Sequence, residues 1–244
     1  SLMLDNDKFT LFNNERGFQP KHLFAITYAA ATTKTKDKTA ATFIGEKGIG
    51  FKSVFAVSEY VDIHSGQYDF RIKNDEFIIP YQLPHMKVQG TKIILTLKKN
   101  IKDISNKISE LLLHLSKNSQ EFTLFLQKIE KLKIEDNLKG TTSYVETIRD
   151  REKKYYFVKS GKEEKTYASY DYRVIIPSNI VSTRFKEIKE DIEREIVFAI
   201  PFPGKSLDPI KRNGKIYCYL PTLIDTGTPI HVQVDAKTTA NRES

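Results

Sequence analysis

Glycines at 45, 48 and 50, with Lys47 and Lys52 beside them, form the part of this chain best suited to chemistry. Glycine lets a backbone come close to an anion, and the free N–H groups at the start of a following helix, with its dipole, can hold a phosphate. The apolar pattern of Phe51, Val54, Phe55 and Val57 predicts such a helix directly after Gly50. Alone, the string G-x-x-G-x-G also suits a glycine-rich helix start that holds no ligand. A dinucleotide-binding unit is excluded, because the polar stretch Thr32–Thr42 precedes the glycines and alternating segments follow them, with no βαβ pattern. A Walker loop is excluded as well, because Gly50 is followed by Phe51-Lys52-Ser53.

The surrounding elements must position that loop. Lys8–Phe12 reads as a short strand, ended by the turn chemistry of residues 13–18. A helix follows from Pro20, with Leu23, Phe24, Ile26 and Tyr28 interspersed as an amphipathic face requires. Antiparallel strands are expected at Tyr60–His64, Tyr68–Ile72, Phe77–Ile79 and Lys92–Leu97. Ile101–Gln127 carries helical spacing with a break near Ser119-Gln120, and a domain boundary is expected near Asn137. Beyond it, strands are expected at Ser143–Ile148, Lys154–Val158 and Tyr172–Ile176, then a charged helix at Arg184–Glu195. The last strands expected are Ile196–Ile200, Lys215–Leu220 and Pro229–Val234.

Composition bounds the function classes. The 244 residues are 39% hydrophobic and 11% aromatic, enough for a packed core, and no apolar run is long enough to span a membrane as a helix. Lys and Arg outnumber Asp and Glu by 39 to 31, a net charge of +8 that suits anionic partners, although the lysines are interspersed with glutamates as on a solvated surface. The single cysteine, Cys218, excludes an internal disulfide and a multi-cysteine zinc site, and its apolar neighbours suggest a small core residue. The five histidines show no metal-ligand spacing. With no signal peptide in the sequence, a cytoplasmic setting is expected.

Read in order, Asn13-Asn14-Glu15-Arg16-Gly17-Phe18, the helix, the polar loop, Ile44 to Phe55 and Gly90-Thr91-Lys92-Ile93-Ile94-Leu95 resemble the successive ATP-site boxes of the GHKL ATPase superfamily. That superfamily includes gyrase, the heat-shock-ninety chaperones, histidine kinases and MutL. The wording of the second glycine box is most similar to the sacsin-like and heat-shock-ninety-like branch. The resemblance implies an α+β protein: an N-terminally incomplete GHKL (Bergerat-type) α/β sandwich over residues 3–136, followed by a second α/β domain over residues 137–244.

The resemblance also implies roles. Asn13 and Gly17 belong to the adenine box, residues 32–42 to an ATP lid, and Thr91 to the base contact. Gly45, Lys47, Gly48, Ile49, Gly50, Phe51 and Lys52 belong to the phosphate loop. Near the end of the chain, Arg242 falls where a middle-domain arginine reaches the phosphate, and an exposed arginine near a chain terminus is the plain alternative.

Two departures stand out. The adenine box has Asn13 where the superfamily carries aspartate; an amide oxygen still accepts from an adenine amino group, but without charge. The asparagine box, which supplies the water-activating glutamate and the Mg²⁺ ligand, has no room ahead of Asn13. The sequence therefore predicts ATP binding with lid closure, with hydrolysis confined to a longer protein that contains the missing box. Expected partners are nucleotide and protein clients or further copies of the chain, with no membrane. The alternatives are a non-catalytic nucleotide-binding or interaction module and a nucleic-acid-associated ATPase.

Overall fold

The computed structural model describes residues 1–27, 51–73, 79–177, 191–202 and 213–234. Fourteen strands, three α-helices and one 3-10 turn are found among them, so the described chain is mostly strand. This corrects the expected α+β architecture of a GHKL sandwich followed by an α/β domain. The strands form mixed sheet, with parallel pairing only at β1·β7 and β12·β14 among the described pairs (ranges below). The chain divides into two compact units. The first holds the described residues up to Ser116 and Leu132–Tyr144; the second holds Lys117–Lys131 and the described residues from Val145 onward.

Unit 1 contains β1 (Leu2–Leu4), β2 (Lys8–Asn13), β3 (Ser58–Ser65), β4 (Tyr68–Lys73), β5 (Pro80–Gln82), β6 (Thr91–Leu97) and β7 (Lys131–Asp136), with helices α1 (Pro20–Thr27) and α2 (Ile104–Lys117). Its strand order is β7-β1-β2-β6-β3-β4-β5. Side chains alternate across a strand, so Val61 and Ile63 of β3, Phe70 and Ile72 of β4 and Leu95 of β6 point to one face. There they pack with Leu23 and Ile26 of α1 and with Phe51, Val54 and Phe55 of the 3-10 turn Phe51–Ala56. Pro20 opens α1, and His22 Nδ1 accepts the Gln19 N–H at 3.0 Å, a return bond that satisfies one of the donors a helix start leaves open. At the other end of the unit, Ser109 of α2 donates to buried Asp136 at 2.5 Å, tying the helix to β7.

Unit 2 contains α3 (Ser119–Thr123), β9 (Tyr155–Ser160), β10 (Glu163–Ile176), β11 (Ile192–Pro201), β12 (Lys215–Cys218), β13 (Leu220–Asp225) and β14 (His231–Gln233). β8 (Thr141–Asp150) enters it from Val145 onward. The order is β13-β12-β14-β11-β10-β9-β8. The helical stretch expected over Ile101–Gln127, with a break near Ser119-Gln120, is α2 and α3, separated at Asn118. The charged helix expected at Arg184–Glu195 is corrected at its C-terminal end, because Ile192–Glu195 lie in β11 and pair with Arg173–Ile176 of β10. Residues 184–190 lie outside the described residues.

The core of unit 2 is aromatic. Phe125 packs edge-on against Tyr156 and Tyr217, with ring centres 6.1 and 4.8 Å away, and Cys218 is buried as a core residue. His231 lies 5.7 and 5.5 Å from the rings of Tyr167 and Tyr217, and its Nδ1 accepts the Lys215 N–H at 3.2 Å. Burial lowers its pKa from the ordinary 6.5. The folded state therefore binds a proton less readily than the unfolded chain. Stability is full above about 6.5 and falls as pH drops toward the folded value, by at most about 1.4 kcal/mol per pH unit. Thermal unfolding at pH 7.5 and 5.5 should show this loss in the parent. In His231→Gln, which keeps an acceptor for the Lys215 N–H, the contribution of this site should vanish; an undiminished pH dependence there would place the effect elsewhere.

Candidate nucleotide site

Three strands of unit 1 meet at one end. Asn13, the last residue of β2, pairs with Thr91, the first of β6, and Thr91 also pairs with Ser65, the last of β3. Ser65 and Thr91 are buried, their hydroxyls 2.6 Å apart, and the Phe18 N–H donates to Ser65 Oγ at 2.7 Å. Asn13 remains exposed, its amide open to solvent.

Two glycines make this junction possible. Gly17 has φ +86°, and a Cβ there would stand 3.4 Å from Gly66 N and Ser65 Oγ. Gly90 has φ +115°, and a Cβ there would stand 2.1 Å from the Asn13 carbonyl oxygen, an impossible approach. Only glycine fits a backbone crossing this close. The result is a short-side-chain junction of Asn13, Gly17, Ser65, Gly90 and Thr91. Its exposed member offers one amide acceptor and an N–H₂ donor pair. Thr91 lies behind it, 1% exposed and engaged with Ser65, so its hydroxyl supports the junction from within.

The structure thus brings together Asn13, Gly17 and Thr91 of the residues singled out in the sequence. Phe51 and Lys52 open the 3-10 turn, where Phe51 stacks edge-on with Phe55 at 6.4 Å. The helix expected to continue through Val57 is this short turn. The Val57 N–H reaches Val54 O at 3.1 Å, Ser58 Oγ donates to the same oxygen at 2.8 Å, and the Lys98 N–H takes Val57 O at 3.0 Å, which commits the chain to β3. Gly45, Lys47, Gly48, Ile49, Gly50 and Arg242, and the lid stretch 32–42, lie outside the described residues.

Sequence reading missed a second cluster. Asp69 of β4 accepts from His64 Nδ1 and His85 Nδ1, both at 2.6 Å, and from the Met86 N–H at 3.2 Å. Burial alone would raise its pKa, but the bonds from His64, His85 and Met86 outweigh that and hold it below the ordinary carboxylate value. His64 and Asp69 stand opposite each other across the hairpin at Gly66, a relation that becomes legible only once the strand register is known. His85 also borders a groove of about 450 Å³ with Leu23, Gln67, Tyr68, Phe70 and Pro80. Among the described residues no group of His, Cys, Asp or Glu is arranged to hold a metal ion. The Mg²⁺ implied by the resemblance has no fitted ligand set there. No described helix is long and apolar enough to cross a membrane.

No family model matches the chain. Over 84 residues the chain is 39% identical to Protein NO VEIN of Arabidopsis thaliana, a match covering 34% of this chain and 3% of that protein. The chain therefore corresponds to a very small part of that relative. Among solved structures, the crystal structure of the N-terminal domain of a DNA repair protein aligns with 98% of this chain and 79% of its own, at 11% identity and a TM-score of 0.49.

Proposed function

We propose that the chain carries a nucleotide-binding site of the GHKL ATPase kind, set in unit 1, in which Asn13 contacts the base and the glycine sequence at 45–50 the phosphates. One observation supports this reading above the rest. The residues separated in sequence as two boxes, Asn13 to Gly17 and Gly90-Thr91, converge on one junction at which Asn13 is exposed. An exposed asparagine at a strand end can exchange two hydrogen bonds with a nucleobase edge. The glycine sequence, with Lys47 and Lys52, has the composition that phosphates require.

In this reading the protein binds ATP and its lid responds by closing, since a ligand shifts an equilibrium by its differential affinity for the two states. The setting in this reading is cytoplasmic and chaperone-like, and hydrolysis would need a water-orienting carboxylate and a metal in addition to this binding site. The rival reading is a nucleotide-binding or interaction module without catalysis.

Calorimetry with a non-hydrolysable ATP analogue tests the proposal. Gly48→Val or Gly50→Val should abolish binding through steric intrusion, and Asn13→Ala should weaken it about tenfold, the value of one good hydrogen bond. Equal affinity in the parent and both valine variants would overturn the assignment.

A further inference from the structure

We propose that the outward face of the unit 2 sheet is a dimer interface, on which a second copy of this chain packs sheet against sheet through Tyr170, Tyr172 and Phe198. The surface lies wholly in unit 2 and owes nothing to the nucleotide reading.

A mostly antiparallel sheet with one face on a core normally turns polar side chains outward on the other. The sheet of unit 2 does not. Tyr167, Val197, Ala199 and Tyr217 are buried on its inner face, so by alternation their neighbours along each strand point the other way. One outward row crosses four strands: Tyr170 of β10 pairs with Phe198 of β11, Phe198 with Val232 of β14, and Val232 with Ile216 of β12. Beside that row Tyr172 stands opposite Ile196, and Ala168 stands between Ile200 and Tyr155 of β9. From Thr166 to Val174 the outward positions of β10 hold threonine, alanine, two tyrosines and valine, and no outward position of β11 from Ile196 to Ile200 is charged. Tyr170 and Tyr172 are 54% and 61% exposed, so this apolar face meets water in the single chain.

The size and chemistry of the face select its occupant. The strands β9, β10, β11, β14 and β12 lie side by side. At about 4.8 Å between strands and 3.3 Å per residue along them, the patch measures roughly 24 by 20 Å, which buries about 1,000 Å² between two copies, the lower bound for a specific interface. With no charge at its centre the face has nothing to offer a nucleic-acid backbone or an acidic lipid headgroup. Tyrosine and phenylalanine among aliphatic neighbours are instead the make-up of a protein interface core. A single helix, about 10 Å across, would leave half of the face wet. A second sheet covers all of it, stacking about 10 Å away with its strands turned by about 30°. Another copy of the chain supplies a sheet of the same twist, and a two-fold axis sets apolar centre on apolar centre with no charge left unpaired.

Sedimentation equilibrium on the whole chain provides the test. The parent should dimerise with a Kd in the micromolar range, as a small interface implies, and raising the salt from about 0.1 to about 0.5 M should not weaken it, because no ion pair holds the two faces together. Tyr170→Lys and Tyr172→Lys should each raise the Kd about tenfold or more while the circular dichroism stays that of the parent, since both side chains are exposed. Ile175→Lys is the control. Ile175 is 69% exposed on the same strand but points to the opposite face, and its cross-strand neighbour Glu193 accommodates a lysine, so its Kd should match the parent's. A dimer that dissociates with added salt, that ignores both tyrosine substitutions, or that is weakened as much by Ile175→Lys as by Tyr172→Lys would overturn the assignment. A chain still monomeric at several hundred micromolar would overturn it as well and leave the face to a different protein.

Discussion

Gly90→Ala is expected to destabilise unit 1 by roughly 4 kcal/mol, the sum of a disfavoured backbone region and a backbone overlap that no rotamer relieves. The added Cβ would meet Asn13 O at 2.1 Å and Asn14 Cα at 2.9 Å, with φ at +115°. Relief requires β2 and β6 to separate at the Asn13·Thr91 pair. That movement would also pull Thr91 from Ser65 and withdraw Ser65 from the Phe18 N–H. Gly66→Ala provides the control. Gly66 has φ +61°, but its Cβ would meet nothing within 4 Å, so only the left-handed backbone penalty of about 1 kcal/mol applies. Urea unfolding of the three proteins measures both terms. Equal losses at positions 66 and 90 would show that the junction gives way freely and is not a tight crossing.

Arg149→Ala is expected to take about 3 kcal/mol from unit 2. The guanidinium of Arg149 donates to Leu124 O and Ile129 O, both at 3.0 Å, and to Thr123 O. A helix end leaves its last carbonyls without partners inside the helix, and here a side chain on β8 supplies the donors. The turn it holds contains Leu124, Phe125 and Leu126, all buried, so water cannot readily replace the lost donors. Arg149→Lys should recover only part, because an ammonium lacks the planar fork that reaches three oxygens at once. Removing the exposed pair Lys131–Glu146, at 3.1 Å, should change stability by no more than about 0.5 kcal/mol. Comparable losses from Lys131→Ala and Arg149→Ala would refute the assignment of Arg149 as the organiser of this turn.

Local pattern carried much of unit 1. β2, β3, β4 and β6 alternate apolar and polar residues, and Pro20 marks the start of α1, so each could be read from its own window. The unread parts depend on partners. Lys131–Asp136 alternates three buried residues with lysines and glutamate, but with no turn signal before it the strand β7 was hidden against a long helical pattern. In β11, charges that look like a mixed helix face are cross-strand partners, as where Arg173 meets Glu193 at 3.5 Å. The boxes named Asn13, Gly17 and Thr91, which the strand ends bring near one another, whereas Ser65 and Asp69 could be placed only once the strand register was known. The expected sandwich failed because helices were over-counted and β10, from Glu163 to Ile176, was read as far shorter than it is.

β1 lies between β2, seven residues or so along the chain, and β7, which the ribosome delivers more than a hundred residues later. During vectorial synthesis the Leu2–Leu4 strand therefore has one neighbour early and presents an open edge until Ile134–Asp136 emerge and pair with it in parallel. Long-range closure of this kind is slow, and an open edge in a growing chain invites pairing with the wrong strand. A ribosome stalled before Lys131 should carry a nascent unit 1 that binds folding factors at β1, and release should follow once β7 has cleared the exit tunnel.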